Sequence, residues 1–483
     1  MNLKKLAFTL LIVISYNTYA QKCSCEDNFN WLKKNFEEND AGFQYVIDQK
    51  GLIEYQNHSA LFAKKIKKIN DLKECRTILL DWLHFFRPAH LSLEINQDYV
   101  NKTASQTKTE PAKNWERLQI TEEELKSRTS KNTQPTFEGI WYSPPYTIGV
   151  AKVNDEFIGY VLDVKGTKWS QYQVKFKIKQ NLDQTYSAVY FMGDFSSQKF
   201  SNVQLIGSNF LKIGFISLKR VFPNNFKEDS DITNYLESLT AQQPFIKEIS
   251  RKSVLLRIPS FNYSNKKVVD SILVANNKLI LSKENLIIDL RNNGGGSDAT
   301  FQKIIPYLYT NPIRTVGVEF LSTVQNNKRM EDFMADPDWS AEEKDWAKKG
   351  LEKLNSNLGK FVNLEEKAVD EHRLDSISVY PKNVAIIVNE NNGSTTEQFL
   401  LTAKQSKKVK LFGTTTEGVL DISNMYFIDF PCKDLKLGYS LSKSLRIPGM
   451  QIDGKGIQPD YYIDKSIPDQ EWLKFTENIL NVN

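Results

Sequence analysis

The chain has 483 residues, of which 40% are hydrophobic and 25% charged, with 28 Phe, 20 Tyr and 8 Trp. Such a composition can bury enough apolar surface to offset the entropy of ordering, which excludes a largely disordered protein, and the length suits about two to four domains. Lys and Arg total 63 against 58 Asp and Glu, a net charge of +5 with no basic cluster dense enough to track a phosphate backbone, so no nucleic-acid partner is expected.

Met1 to Ala20 carries Lys4 and Lys5, then the apolar run Leu6 to Ser15, and ends in Thr18-Tyr19-Ala20. This is the pattern of a secretory signal peptide, residues 1–20, with cleavage expected after Ala20 and a secreted or periplasmic product. The run is about half of the roughly 20 apolar residues that a spanning helix needs, and no later stretch approaches that length, so no membrane span is expected in the mature chain. The cysteines Cys23, Cys25, Cys75 and Cys432 are an even set in an oxidising compartment, and a disulfide from Cys25 or Cys23 to Cys75 is expected. Cys23-Ser24-Cys25 is too short for a C-x-x-C pair and histidine is scarce nearby, which argues against zinc.

Residues 21–100 are rich in Leu, Lys, Glu and aromatics, with apolar residues at helical spacing from Ala60 to Leu80, and predict an N-terminal helical unit. Residues 101–136 are polar without a sustained apolar period and read as a linker with room for one short helix. Over 137–222 the pattern turns to strands, clearest at Val174-Lys175-Phe176-Lys177-Ile178, where alternation predicts one buried and one wet face of an antiparallel barrel or sandwich. Residues 223–483 predict an α/β domain, with continuous apolar strands at Val254 to Ile258, Leu286 to Leu290 and Val384 to Val388 implying burial on both faces. A charged helical insertion is expected at about 325–372, where Ser340-Ala341-Glu342-Glu343 has the form of a capping box.

Two stretches can carry chemistry. In Leu286-Ile287-Ile288-Asp289-Leu290-Arg291-Asn292-Asn293-Gly294-Gly295-Gly296 a buried strand runs into three glycines, whose unobstructed main-chain N–H groups suit a carbonyl oxygen or an oxyanion, although the glycine run alone favours a plain turn. In Val384 to Glu397 a strand, a turn and a helix place Ser394 at a helix N-terminus, where free N–H groups favour a nucleophile whose reaction develops negative charge. Ser394-Thr395-Thr396-Glu397 is also a capping-box sequence, in which Ser394 would be only an N-cap.

Together these stretches resemble the tail-specific, or C-terminal-processing, serine peptidase family, which also includes the tricorn core proteases. Its motif D-L-R-N-N-x-G-G matches Asp289 to Gly296, its S-x-x-E turn matches Ser394 to Glu397, and its G-x-G-I-x-P-D signature is similar to Gly454 to Asp460. The resemblance spans about Ser253 to Asp464 and implies a crotonase-like α/β core, with Ser394 as nucleophile and the N–H groups of Gly294, Gly295 and Thr395 as oxyanion donors. The lysine that follows the nucleophile by 25 residues in the processing branch is Val419 here. The tricorn-like branch instead implies His90 as base, in Arg87-Pro88-Ala89-His90-Leu91-Ser92-Leu93, and Asp453 as the supporting acid, one methylene shorter than that branch's glutamate. Ala89 stands where tricorn-like enzymes have a serine, and an ordinary Asp-Gly turn is the alternative reading of Asp453-Gly454. His58, His84 and His372 lack a matching context.

The resemblance therefore implies a serine endopeptidase acting on proteins or peptides through an acyl-enzyme, with no metal or organic cofactor. A second reading is a non-catalytic protein of the same fold binding a peptide or hydrophobic ligand, since the family includes retinoid-binding relatives. A third gives the β-rich module an adhesive or glycan-binding role through Trp141, Tyr142, Tyr146 and Trp169, against the alternative that these aromatics are core. Neither cleavage specificity nor oligomeric state is written in the sequence.

Overall fold

A computed structural model describes residues 23–96, 115–464 and 466–482. The signal-like segment 1–20 and the linker positions 101–114 lie outside the described residues. The chain forms two compact units, one from described residues in 23–96, 314–371 and 419–454, the other from 115–313, 372–418 and 455 onward.

In the first unit four helices, Cys25–Asn39, Phe43–Lys50, Leu52–Ile66 and Leu72–Leu83, confirm the helical reading of the N-terminal segment. The 60–80 apolar period is split where Asp71 caps a new helix by accepting from the Glu74 N–H. Phe29, Leu32, Phe36 and Trp82 on these helices share a core with Leu435, Leu437 and Tyr439. The last three belong to the strand Leu435–Ser444, which pairs antiparallel with Ser92–Ile95, Val318–Leu321 and Ile422–Asp429. Two disulfides tie the helices down: Cys25–Cys75, as expected, and Cys23–Cys432, which spacing did not reveal.

The expected insertion contains the helices Val324–Ala335 and Ala341–Asn355, the latter opened by the Ser340/Glu343 capping box. It does not belong to one continuous domain over 223–483: 314–371 and 419–454 join the N-terminal unit. The reason is hydrogen-bond partnership, because the strands at 318–321, 422–429 and 435–444 complete a sheet with the short strand after His90.

The second unit holds two sheets. The β-rich module is a nine-stranded antiparallel sheet running from Gly139 to Phe222, with the strands Ser197–Phe200 and Val203–Ile206 at its ends. One core contains Trp141, Ile148, Phe176, Ile178 and Leu211; a second contains Ile140, Ala151, Tyr160 and Leu162 together with Ile120 and Leu125. Leu125 lies on the helix Glu122–Thr129, so 115–136 covers the sheet and is not a free linker. Strict alternation also fails at Lys175, which is 1% exposed, with its ammonium 3.8 Å from the Trp169 ring centroid and 4.4 Å from that of Tyr146. Burial pushes its pKa down to about 7. Trp141, Tyr146 and Trp169 are buried and only Tyr142 is exposed, which removes the aromatic contact surface imagined for this module.

The other sheet has Ser253–Arg257, Asn285–Asp289, Asn383–Val388, Val409–Gly413 and Tyr461–Tyr462 in parallel, with Phe245–Glu248 antiparallel at one edge. All residues of Ser253–Arg257 and Asn285–Asp289 are buried, which explains their continuous apolar runs. At the carboxyl end of Asn285–Asp289, Asp289 accepts from Arg291 Nη2 at 2.7 Å, and Arg257 Nη1 donates to the Asp289 carbonyl at 3.0 Å. Opposite charges hold the buried Asp289 carboxyl below its usual range although burial opposes this. The charged residues of this motif thus fix the strand end from which the glycine loop departs.

Candidate active site

Ser394 sits between the strand Asn383–Val388 and the helix Thr395–Ala403, at φ +55° and ψ −127°. That region is sparsely populated for a residue with a Cβ, and its cost is borne by the surrounding turn. The Asn392 side chain, wholly buried, donates to the carbonyls of Leu290 and Asn293, while Thr396 Oγ1 donates to the Asn293 carbonyl at 2.9 Å. Ser394 makes no side-chain capping bond, so the N-cap reading fails and a half-buried hydroxyl is left at the helix N-terminus.

Glu397 does not close a capping box either. Wholly buried, it accepts from Thr416 Oγ1 at 2.5 Å and the Gly418 N–H at 2.8 Å. Thr416 Oγ1 in turn accepts from the Ile457 N–H at 2.7 Å, and a Cβ on Gly456 would lie 2.2 Å from the Thr416 carbonyl oxygen. The S-x-x-E turn and the Gly456-Ile457 segment are therefore joined physically through Thr416.

The glycine loop lies against Ser394. A Cβ at Gly295, where φ is +107°, would be 2.8 Å from Ser394 Cβ and 2.9 Å from the Thr395 nitrogen. Thr395 Oγ1 donates to the Gly296 carbonyl at 3.0 Å, stitching loop to helix. The Gly295 N–H donates to Asn293 Oδ1 at 3.0 Å, so it reaches an oxyanion only by exchanging that acceptor. Gly294 is exposed, with nothing within 4 Å of an added Cβ. The structure thus brings Gly295, Ser394 and Thr395 together in one unit.

His90 and Asp453 lie together in the other unit. His90 Nδ1 is 2.7 Å from the Ile422 carbonyl oxygen, and since a carbonyl only accepts, Nδ1 carries the proton and Nε2 is the basic nitrogen of the neutral ring. Burial holds the imidazole pKa below its ordinary value. Asp453 is linked to this ring through the backbone: Oδ1 accepts the N–H groups of Leu420 and Asp421 at 2.6 Å each, and Oδ2 accepts that of Ile422 at 3.1 Å. Asp421 reciprocates by accepting the N–H groups of Ile452 and Asp453, and Arg446 Nε donates to its Oδ1 at 2.9 Å. Burial pushes the Asp453 carboxyl up, opposed by the amides it accepts.

Sequence reasoning missed Asp421 and Arg446 here, and Asp40 and Ser440 beside His90. Their partners lie tens to hundreds of residues away, and no local pattern marks them. His58 is a packing residue, stacked on Phe85 with Nε2 3.1 Å from the Trp82 carbonyl oxygen.

Comparison with known proteins finds that residues 252–463 match the profile of peptidase family S41. No curated protein matches the sequence. Among solved structures, mature CPAF is similar in fold at 13% identity, covering 95% of this chain and 96% of its own, with a TM-score of 0.50. The photosystem II D1 C-terminal processing protease aligns at 10% identity over 95% of this chain and 97% of its own, with a TM-score of 0.39. The tricorn protease aligns at 12% identity over 95% of this chain and 36% of its own, with a TM-score of 0.40.

Proposed function

The chain carries a peptidase family S41 domain and is a serine-type peptidase, and from that premise we propose that it is an endopeptidase whose nucleophile is Ser394. The observation that carries this reading is the backbone of Ser394: φ +55° and ψ −127° at a helix N-terminus, with the hydroxyl spared from capping. A binding protein of the same fold has no use for that strain, so the catalytic reading is preferred over the ligand-binding one.

In the proposed reaction Ser394 Oγ attacks the scissile carbonyl carbon as His90 Nε2 accepts its proton. The negative charge that develops on the carbonyl oxygen is met by main-chain N–H groups of the Gly294-Gly295 loop and of Thr395, with the positive end of the helix Thr395–Ala403 behind them. The imidazolium then gives its proton to the leaving amine as the C–N bond breaks. Water repeats the sequence on the acyl ester, returning Ser394 and a free carboxylate. Asp453 supports His90 by fixing the 420–422 turn whose carbonyl orients the ring.

The same proposal includes a crotonase-like core and secretion to the periplasm or beyond. Two disulfides support an oxidising compartment, and no helix of the described residues is long and apolar enough to cross a membrane. Protein or peptide substrates follow from the peptidase family. Fluorophosphonate labelling and casein hydrolysis by the protein without residues 1–20, compared with Ser394→Ala and His90→Ala, test the catalytic reading. Both activities should vanish in Ser394→Ala; wild-type protein that neither labels nor cleaves would return the ligand-binding reading.

A further inference from the structure

His90 is itself held in an unusual backbone conformation, φ +52°, between the helix Leu72–Leu83 and the strand Ser92–Ile95. Its carbonyl oxygen accepts from Arg87 Nη2 at 3.0 Å and from Ser440 Oγ at 3.2 Å. Arg87 also donates to Ser440 Oγ at 3.1 Å, so the three groups form a closed triangle. The guanidinium is aimed by Asp40, which receives Nη1 on Oδ1 at 2.8 Å and Nη2 on Oδ2 at 2.6 Å. Asp40 in turn accepts the N–H groups of Gly42 at 2.9 Å and Ser440 at 3.1 Å.

Asp40 is wholly buried and Arg87 nearly so, with the guanidinium 5.8 Å from the Phe36 ring centroid. A buried ion pair of this kind seldom stabilises a fold more than well-packed apolar residues would, because desolvation of both charges offsets their attraction. What the pair supplies is direction. A planar fork fixed by a carboxylate has a set direction, and the second N–H of Nη2 is thereby aimed at the His90 carbonyl and the Ser440 Oγ that also donates to it.

We propose that Arg87, aimed by Asp40 and assisted by Ser440, is a positioning residue for the peptidase reaction, holding the His90 main chain in its left-handed conformation so that Nδ1 stays on Ile422 and Nε2 stays the basic nitrogen. The proposal rests on His90 being the general base. It also has an electrostatic arm: the Arg87 cation disfavours the imidazolium and the Asp40 carboxylate favours it. The other charged groups facing this ring's anchor are Asp421, Asp453 and Arg446 around the 420–422 turn. Replacing Arg87 by a neutral residue leaves Asp40 uncompensated, so the imidazole pKa rises and the acid limb of the pH profile moves to higher pH.

The test measures fluorophosphonate labelling rate against pH, and kcat and KM on a peptide substrate, for wild type, His90→Ala, Arg87→Met, Arg87→Lys and Ser440→Ala, each checked for folding by circular dichroism. His90→Ala should be slower by about 10² to 10⁴, the range for a lost general base. Arg87→Met should lose about 10- to 100-fold in kcat with KM unchanged, the scale of a misplaced catalytic group, and show the upward shift of its acid limb. Arg87→Lys, which cannot make the fork, should recover the pH limb but not the rate, and Ser440→Ala should lie between wild type and Arg87→Met. Wild-type rate and pH limb in folded Arg87→Met overturn the proposal; if Arg87→Met does not fold, wild-type behaviour of Ser440→Ala does so. A His90→Ala variant as fast as wild type instead overturns the base assignment beneath it.

Discussion

His90 Nδ1 lies 2.7 Å from the carbonyl oxygen of Ile422, and this bond decides which imidazole nitrogen is basic. A carbonyl cannot donate, so the neutral ring presents Nε2 with its lone pair free for proton transfer.

The pH dependence follows. Burial lowers the His90 pKa from 6.5, so the ring is neutral over a wider range than an exposed histidine. The base form is present above the folded-state pKa and lost as pH falls through it. The acid limb of kcat/KM should therefore lie below pH 6.5, with a plateau at neutrality, and its absence from His90→Ala labelling checks the assignment.

Asp453→Ala should cost both structure and rate. Three main-chain N–H groups lose a carboxylate acceptor, and leaving such buried donors unmet costs on the order of 2–3 kcal/mol. The Ile422 carbonyl loses its fixed direction with them. Denaturant unfolding should show the stability loss, and kcat should fall about tenfold or more in protein that remains folded.

Gly295→Ala should abolish labelling of Ser394. The new methyl would sit 2.8 Å from both the Gly393 carbonyl oxygen and Ser394 Cβ, at a φ of +107° that alanine resists. Gly294→Ala, with nothing within 4 Å of its Cβ, should keep the fold and is the matched control. Labelling rates of the two variants side by side make the comparison; equal activity would mean that the close approach is not required.

Replacing Cys25 and Cys75 together by serine should destabilise the protein by about 2–4 kcal/mol, since the bond closes a loop with a sequence separation of 50. The measurement is guanidinium unfolding of the variant against wild type. Ser394 labelling at 25 °C should persist, because the pair fastens helices and contacts no proposed catalytic group.

The local geometry around Ser394 is legible in the sequence because its parts are contiguous. The glycine loop, the serine turn and the strands feeding them lie in two short stretches, 286–296 and 384–397, whose burial on both faces leaves continuous apolar runs. The division into units was not legible, since only hydrogen-bond pairing shows that Leu435–Ser444 belongs beside Ser92–Ile95. Alternation misread Lys175, whose ammonium is buried against aromatic rings where the pattern predicted water. The sequence motif points to Asp453 but not to its route to His90, because main-chain amides carry that link and side-chain identity says nothing about them.

The most direct test of the account is mass-spectrometric mapping of the fluorophosphonate adduct on the folded protein without residues 1–20. The account predicts a single adduct on Ser394, formed above the acid limb and absent from Ser394→Ala. An adduct on another serine, or none in protein that retains its fold, would contradict it.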